Sequence, residues 1–181
     1  FPVNQTKIYP DYRRNPSELA KIKGTVDIVK NDANTQITEI DITGYASPEG
    51  KYAANGRLAQ GRAEALKKYV MDEYGFKNDL FKVNSVPEDW AGLRDYVAKS
   101  NLPLKQEILS IIDKDENDFD VKEGRIKALD GGKAYATLLQ DCYPALRHSD
   151  YTVRYVVRGF NVEEAKQIIK TRPQQLSLQE M

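Results

Sequence analysis

The sequence predicts an α+β fold, a mixed sheet with helices on one face and a helical insertion before the last strand. Three observations predict it. Apolar and polar residues alternate at the strand period in residues 37–43 and 151–158. Apolar residues recur at helical spacing in residues 15–30 and 55–74, so that the first 85 residues read β-α-β-α-β. Between residues 87 and 148 the alternation gives way to four helical patterns in a row before the sheet resumes, which makes the full order β-α-β-α-β-β.

Residues 1–9 carry sparse apolar side chains in a pattern that suits a strand near one side of a sheet. Asn15, Pro16, Ser17 and Glu18 supply a helix start, and Leu19, Ile22, Val26 and Val29 form its apolar stripe. The strand at 37–43 sets Ile40 and Ile42 on one face and Glu39 and Asp41 on the other. A loop holding Pro48 and Gly50 leads into a helix from Asn55 to about Tyr74, closed by Gly75, and residues 80–85 form a third strand. In the insertion, helices are marked by Trp90, Leu93 and Val97, by Leu104, Ile108 and Ile111, by Ile126 and Leu129 up to Gly131-Gly132, and by Tyr135, Leu138, Leu139 and Cys142. The last strand buries Tyr151, Val153, Tyr155 and Val157. Asn161 caps a final helix with Val162, Ala165, Ile168 and Ile169 inward and Pro173 beyond it. Residues 1–160 read as a single domain, with 161–181 as a C-terminal helix and the start of a further region signalled by a capping box at Ser177 and Glu180. The strand-like start at Phe1 and this box read as the edges of an excised module.

Composition narrows the function. The 181 residues are 40% hydrophobic and 30% charged, and the 27 basic and 27 acidic side chains cancel, which argues against a general nucleic-acid partner. One cysteine, Cys142, excludes an internal disulfide framework, and one histidine, His148, leaves little material for a zinc site. No apolar run is long enough for a membrane span. Asp113, Asp115, Asn117 and Asp118 begin like a calcium loop, but Asp118 stands where that loop needs glycine and Gly124 where it needs glutamate, so the segment reads as a solvated acidic turn. No cofactor or metal is expected.

The stretch GYASPEGKYAANGRLAQGRAEALKKYV holds the main anomaly: Arg62 interrupts the apolar stripe of Leu58, Leu66, Tyr69 and Val70. A guanidinium cannot shed its charge, so it needs a carboxylate such as Asp41, a cluster of loop carbonyls, or an anionic ligand. A strand end that leads into a helix also gathers free N–H groups at a positive dipole end, which suits a carboxylate.

Gly44, Tyr45, Gly50, Asn55, Leu58, Arg62 and Ala63 stand in register with the motif of the OmpA-like peptidoglycan-binding domain, which the chain resembles over about half its length. Phe1, Asn4, Ile8 and Pro10 are similar to that family's opening strand, and the helices of 87–148 to an elaboration found in envelope proteins of Bacteroides-like bacteria. The resemblance implies a non-enzymatic module, exported to the periplasm and associated with the outer membrane, that anchors to peptidoglycan without breaking a bond. In the family an aspartate and an arginine hold the ammonium and carboxylate groups of diaminopimelate in the stem peptide. The arginine is Arg62, the aspartate position is Ser47, and Glu49 is a substitute carboxylate two residues along. The implied ligand set is Arg62, Ser47, Asn55, Tyr45, Glu49 and Asn4. The alternative is an OmpA-like fold that has lost its ligand and serves as a structural or protein-binding module, with another envelope protein as partner.

Overall fold

A computed structural model describes residues 1–32, 34–159 and 162–171. The expected cap at Asn161, Pro173 and the capping box at Ser177 and Glu180 lie outside the described residues. The chain runs α1 (Asn15–Lys30), β1 (Thr35–Tyr45), α2 (Tyr52–Tyr74), β2 (Phe81–Val86), α3 (Trp90–Lys99), α4 (Lys105–Asp113), α5 (Phe119–Ala128), α6 (Lys133–Asp141), α7 (Tyr143–Leu146), β3 (Ser149–Val157) and α8 (Val162–Thr171). This is an α+β fold, and its sheet is mixed: β1 is central, parallel to β2 and antiparallel to β3.

The parallel pair forms because α2 carries the chain back across the sheet before β2. Ile40 and Ile42 pack against Ile22 and Val26 of α1 and Ala63, Leu66 and Val70 of α2, so both helices cover one face. The opposite face is polar. There Arg154 meets Glu39 at 2.9 Å and Asn84 donates to Asp41 at 2.7 Å. The insertion has its own core, in which Leu93, Val97, Ile108, Ile126, Leu138, Cys142 and Tyr143 are enclosed. Burial pushes the Cys142 thiol up to about 12, as suits an inert core cysteine.

Several local expectations are corrected. Residues 1–9 do not form a strand. Asn4 adopts a left-handed conformation at φ 55°, Gln5 N–H turns back to Pro2 O at 3.3 Å, and the carbonyls of Pro2 and Gln5 point at Arg62 instead of joining a ladder. The cap of α1 is Arg14, with Asn15 already helical and its side-chain amide donating to Tyr9 O. Helix α2 begins at Tyr52, three residues before Asn55, where Asp120 of the insertion accepts its first N–H and Glu123 the N–H of Gly50 just before the cap. A bulge in β1 between Ile37 and Glu39 interrupts the pairing with β3, and at that end of β3 Tyr155, Val156 and Val157 are all about half exposed, so Tyr155 and Val157 are not buried. In α8, Ala165 and Ile168 are buried as expected but Ile169 faces outward.

Candidate functional site

The loop between β1 and α2 lies where β1 stops pairing, and three elements hold it. Gly44 lets α2 approach closely: a Cβ there would lie inside the Ala59 carbonyl oxygen and 2.7 Å from Ala63 N. Ala46 donates to Val86 O at 3.3 Å and accepts from Asp89 N–H at 2.8 Å, which ties the loop to the start of the insertion. Gly50, at φ 83°, turns the chain toward α2.

Helix α2 has Lys51 at its cap position and no side-chain cap of its own. The insertion replaces it. Glu123 of α5 accepts from Gly50 N–H at 2.9 Å and Asp120 from Tyr52 N–H at 3.0 Å, so the positive end of the helix is already matched by carboxylates from about seventy residues away. Glu123 is buried and also accepts from Tyr135 OH at 2.7 Å and pairs with Lys127. Asn55 is buried too. Its amide donates to Glu49 O at 3.0 Å and to Glu88 Oε1 at 2.8 Å, while Trp90 Nε1 donates to Glu88 Oε2 at 2.8 Å. Burial raises the Glu88 carboxyl above its usual range, against the pull of these two donors.

Arg62 is 1% exposed. Its Nε donates to Gln5 O at 3.1 Å, Nη1 to Tyr45 O at 2.9 Å and Nη2 to Pro2 O at 3.5 Å, and the Phe1 ring lies 5.5 Å from its central carbon. Of the three partners left open by the sequence, loop carbonyls hold it. Asp41 is on the opposite sheet face with Asn84 and Lys82. Burial, with the charge of Arg147, lowers the Arg62 pKa to about 10, and Glu49 opposes the shift. The group therefore stays charged at neutral pH.

Ser47 is buried and donates to Glu49 Oε1 at 3.1 Å. Arg147 is buried beside them, with its Nε 3.3 Å from Ser47 Oγ and 3.2 Å from Glu49 Oε1. Ser47, Glu49, Asn55 and Arg62 thus share one neighbourhood. Tyr45 enters it by its carbonyl alone, because its ring stacks on His148 at 4.4 Å. Asn4 is exposed, and its backbone turn, not its side chain, presents the Pro2 and Gln5 carbonyls to Arg62. Sequence reasoning missed Arg147, Glu88 and Glu123. Arg147 had one signal, its place at the insertion's return to the sheet; the acids had none, because their spacing to the loop exists only in space.

Comparison with known proteins gives no matching family model and no matching curated protein. The site must therefore be read from its own chemistry. It holds two buried guanidiniums and one partly exposed carboxylate on a loop fixed from three sides.

His148, Ser149 and Asp150 do not make a catalytic relay, since Ser149 Oγ is enclosed and makes no hydrogen bond to His148. His148 Nε2 lies 3.6 Å from Asp150. Burial by itself would lower the His148 pKa, but Asp150, Asp89 and the Leu146 main chain outweigh it and the net shift is upward. His148 in turn lowers Asp150. A raised histidine adds stability that is complete below its unfolded pKa and is lost as pH rises through the folded one. A lowered aspartate adds stability above its unfolded pKa that is lost as pH falls through the folded one. The pair therefore supports the fold in mildly acidic solution, between the two unfolded values of about 3.9 and 6.5. Urea denaturation of His148→Gln is expected to show a larger loss at about pH 5 than at about pH 8, and equal losses at both would sink the assignment.

Proposed function

We propose that this protein is a non-enzymatic anchoring module of the cell envelope that binds the diaminopimelate-bearing stem peptide of peptidoglycan at the loop of residues 44–50. Its setting in this reading is the periplasm, in association with the outer membrane. One observation carries the proposal: Glu49, 20% exposed in its side chain, is packed against the buried guanidinium of Arg147 with the charge of Arg62 close behind. An α-amino acid presents an ammonium and a carboxylate a few ångströms apart, so a receptor for it needs both signs held rigidly side by side. No helix among the described residues is long and apolar enough to cross a membrane. In this reading the module touches the envelope through the polymer.

The test is an amide titration by NMR with meso-diaminopimelate and with a stem tripeptide that contains it. The expected result is a set of shifts clustered on residues 44–62, weakened by Glu49→Gln. A second reading is favoured by the three main-chain carbonyls around Arg62, which engage each of its three nitrogens. In it the fold is retained, the ligand is lost, and the helical insertion meets another envelope protein. No shift at millimolar concentrations of either compound would select this second reading.

A further inference from the structure

We propose that Arg147, and not Arg62, is the side chain that grips the ligand carboxylate, an inference that rests on the loop 44–50 being the binding site. Arg147 is the residue at which the insertion returns to the sheet, and it is 4% exposed. Its Nε faces Ser47 and Glu49. Among the described residues Nη1 and Nη2 make no hydrogen bond, so four of its five N–H groups lack an acceptor.

Those nitrogens are not sealed in. The fully enclosed side-chain atoms without a partner, among the described residues, are Arg125 Nη1, Tyr143 OH, His148 Nδ1 and Ser149 Oγ, so the Nη edge of Arg147 keeps contact with solvent. A guanidinium that is 4% exposed, with an Nη edge that lacks acceptors and just reaches solvent, is an unfilled fork, and the planar group that fills such a fork with two parallel bonds is a carboxylate. Arg62 differs, since each of its nitrogens already donates to a carbonyl. Its charge still adds attraction for an anion nearby. Glu49 completes the complement: Oε1 is turned toward Ser47 and Arg147, while Oε2 accepts no hydrogen bond and is not among the enclosed atoms, which leaves it for the ligand's ammonium. Ser47, bonded to both, then acts as a positioning residue that sets Glu49 and Arg147.

The experiment follows arginine side-chain nitrogens by NMR in the wild-type protein while acetate, and separately meso-diaminopimelate, is added. The expected result is that the Nη signals of Arg147 shift with both compounds and those of Arg62 with neither. Arg147→Gln should weaken diaminopimelate binding at least about tenfold, and Glu49→Gln should weaken diaminopimelate but not acetate. Near-ultraviolet dichroism of Trp90 checks folding, and Arg147→Lys, which keeps the charge and loses the fork, replaces the glutamine variant if that one does not fold. Shifts at Arg62 with Arg147 unmoved, or full affinity in a folded Arg147 variant, would overturn the inference while leaving the anchoring proposal standing. If acetate moves Arg147 and diaminopimelate does not bind, the carboxylate fork holds and the anchoring proposal fails. Silence of both arginines to both compounds, with no diaminopimelate bound, overturns both.

Discussion

Gly44→Ala is expected to destabilise the protein by about 3 kcal/mol or more, at or beyond the upper end of ordinary overpacking. The added methyl would lie inside the Ala59 carbonyl oxygen, 2.7 Å from Ala63 N and 3.0 Å from Ala63 Cβ. The first two are backbone atoms in the middle of α2, and no rotamer change moves them. Relief requires α2 to lift from β1, which also draws Arg62 away from Tyr45 O and opens the contacts of Ala59 and Ala63, both fully buried. Urea unfolding should show a lower midpoint with an unchanged slope. Gly24→Ala in α1 is the control: nothing lies within 4 Å of a Cβ there, so the helix should gain about 0.5–1 kcal/mol. A neutral Gly44→Ala would refute the close approach of helix and strand.

Arg62→Ala is the second large effect, with an expected loss of about 3 kcal/mol or more from carbonyls that each lose a donor and from an unfilled cavity. Three acceptors each lose a donor at once: Gln5 O in the opening segment, Tyr45 O at the end of β1, and Pro2 O, which keeps Gln5 N–H at 3.3 Å. Arg62→Lys should recover part of this, because a single ammonium cannot span three carbonyls that a planar fork reaches together. Amide exchange separates this from a general loss of stability. Residues 1–6 should lose protection in Arg62→Ala well before the strands do, since the guanidinium is what fastens that segment to α2. If exchange in residues 1–6 matches that of the wild type, Arg62 does not hold the segment.

The elements that sequence reading placed well are those with a strong period. Ile22, Val26 and Val29 on α1, Leu66 and Val70 on α2, and Leu93 and Val97 on α3 are buried as their spacing predicts. The opening segment was misread because alternation in residues 1–9 is sparse and the side chain that decides its path, Arg62, is more than fifty residues away. Tyr155 and Val157 carry the alternation of a buried face, but a period of two does not tell how far along a strand its cover extends, and Val156 between them is half exposed as well. For the candidate site, Arg62 stood out as a charge on an apolar stripe, and Glu49 and Ser47 as its neighbours in the loop. The partner of Arg62 was not legible, because carbonyl oxygens have no letter in a sequence.

By itself the sequence determined the α+β class, the helical insertion and the loop around which charge gathers, since each is written in local periodicity or in a residue type out of place. Only the tertiary structure decided how those charges are distributed. Main-chain carbonyls hold each nitrogen of Arg62, carboxylates of α5 cap α2, and Arg147 joins Ser47 and Glu49 with its outer nitrogens lacking an acceptor. The physical reason is that a buried charge must find its acceptors in three dimensions, and those acceptors come from segments that have no fixed spacing along the chain.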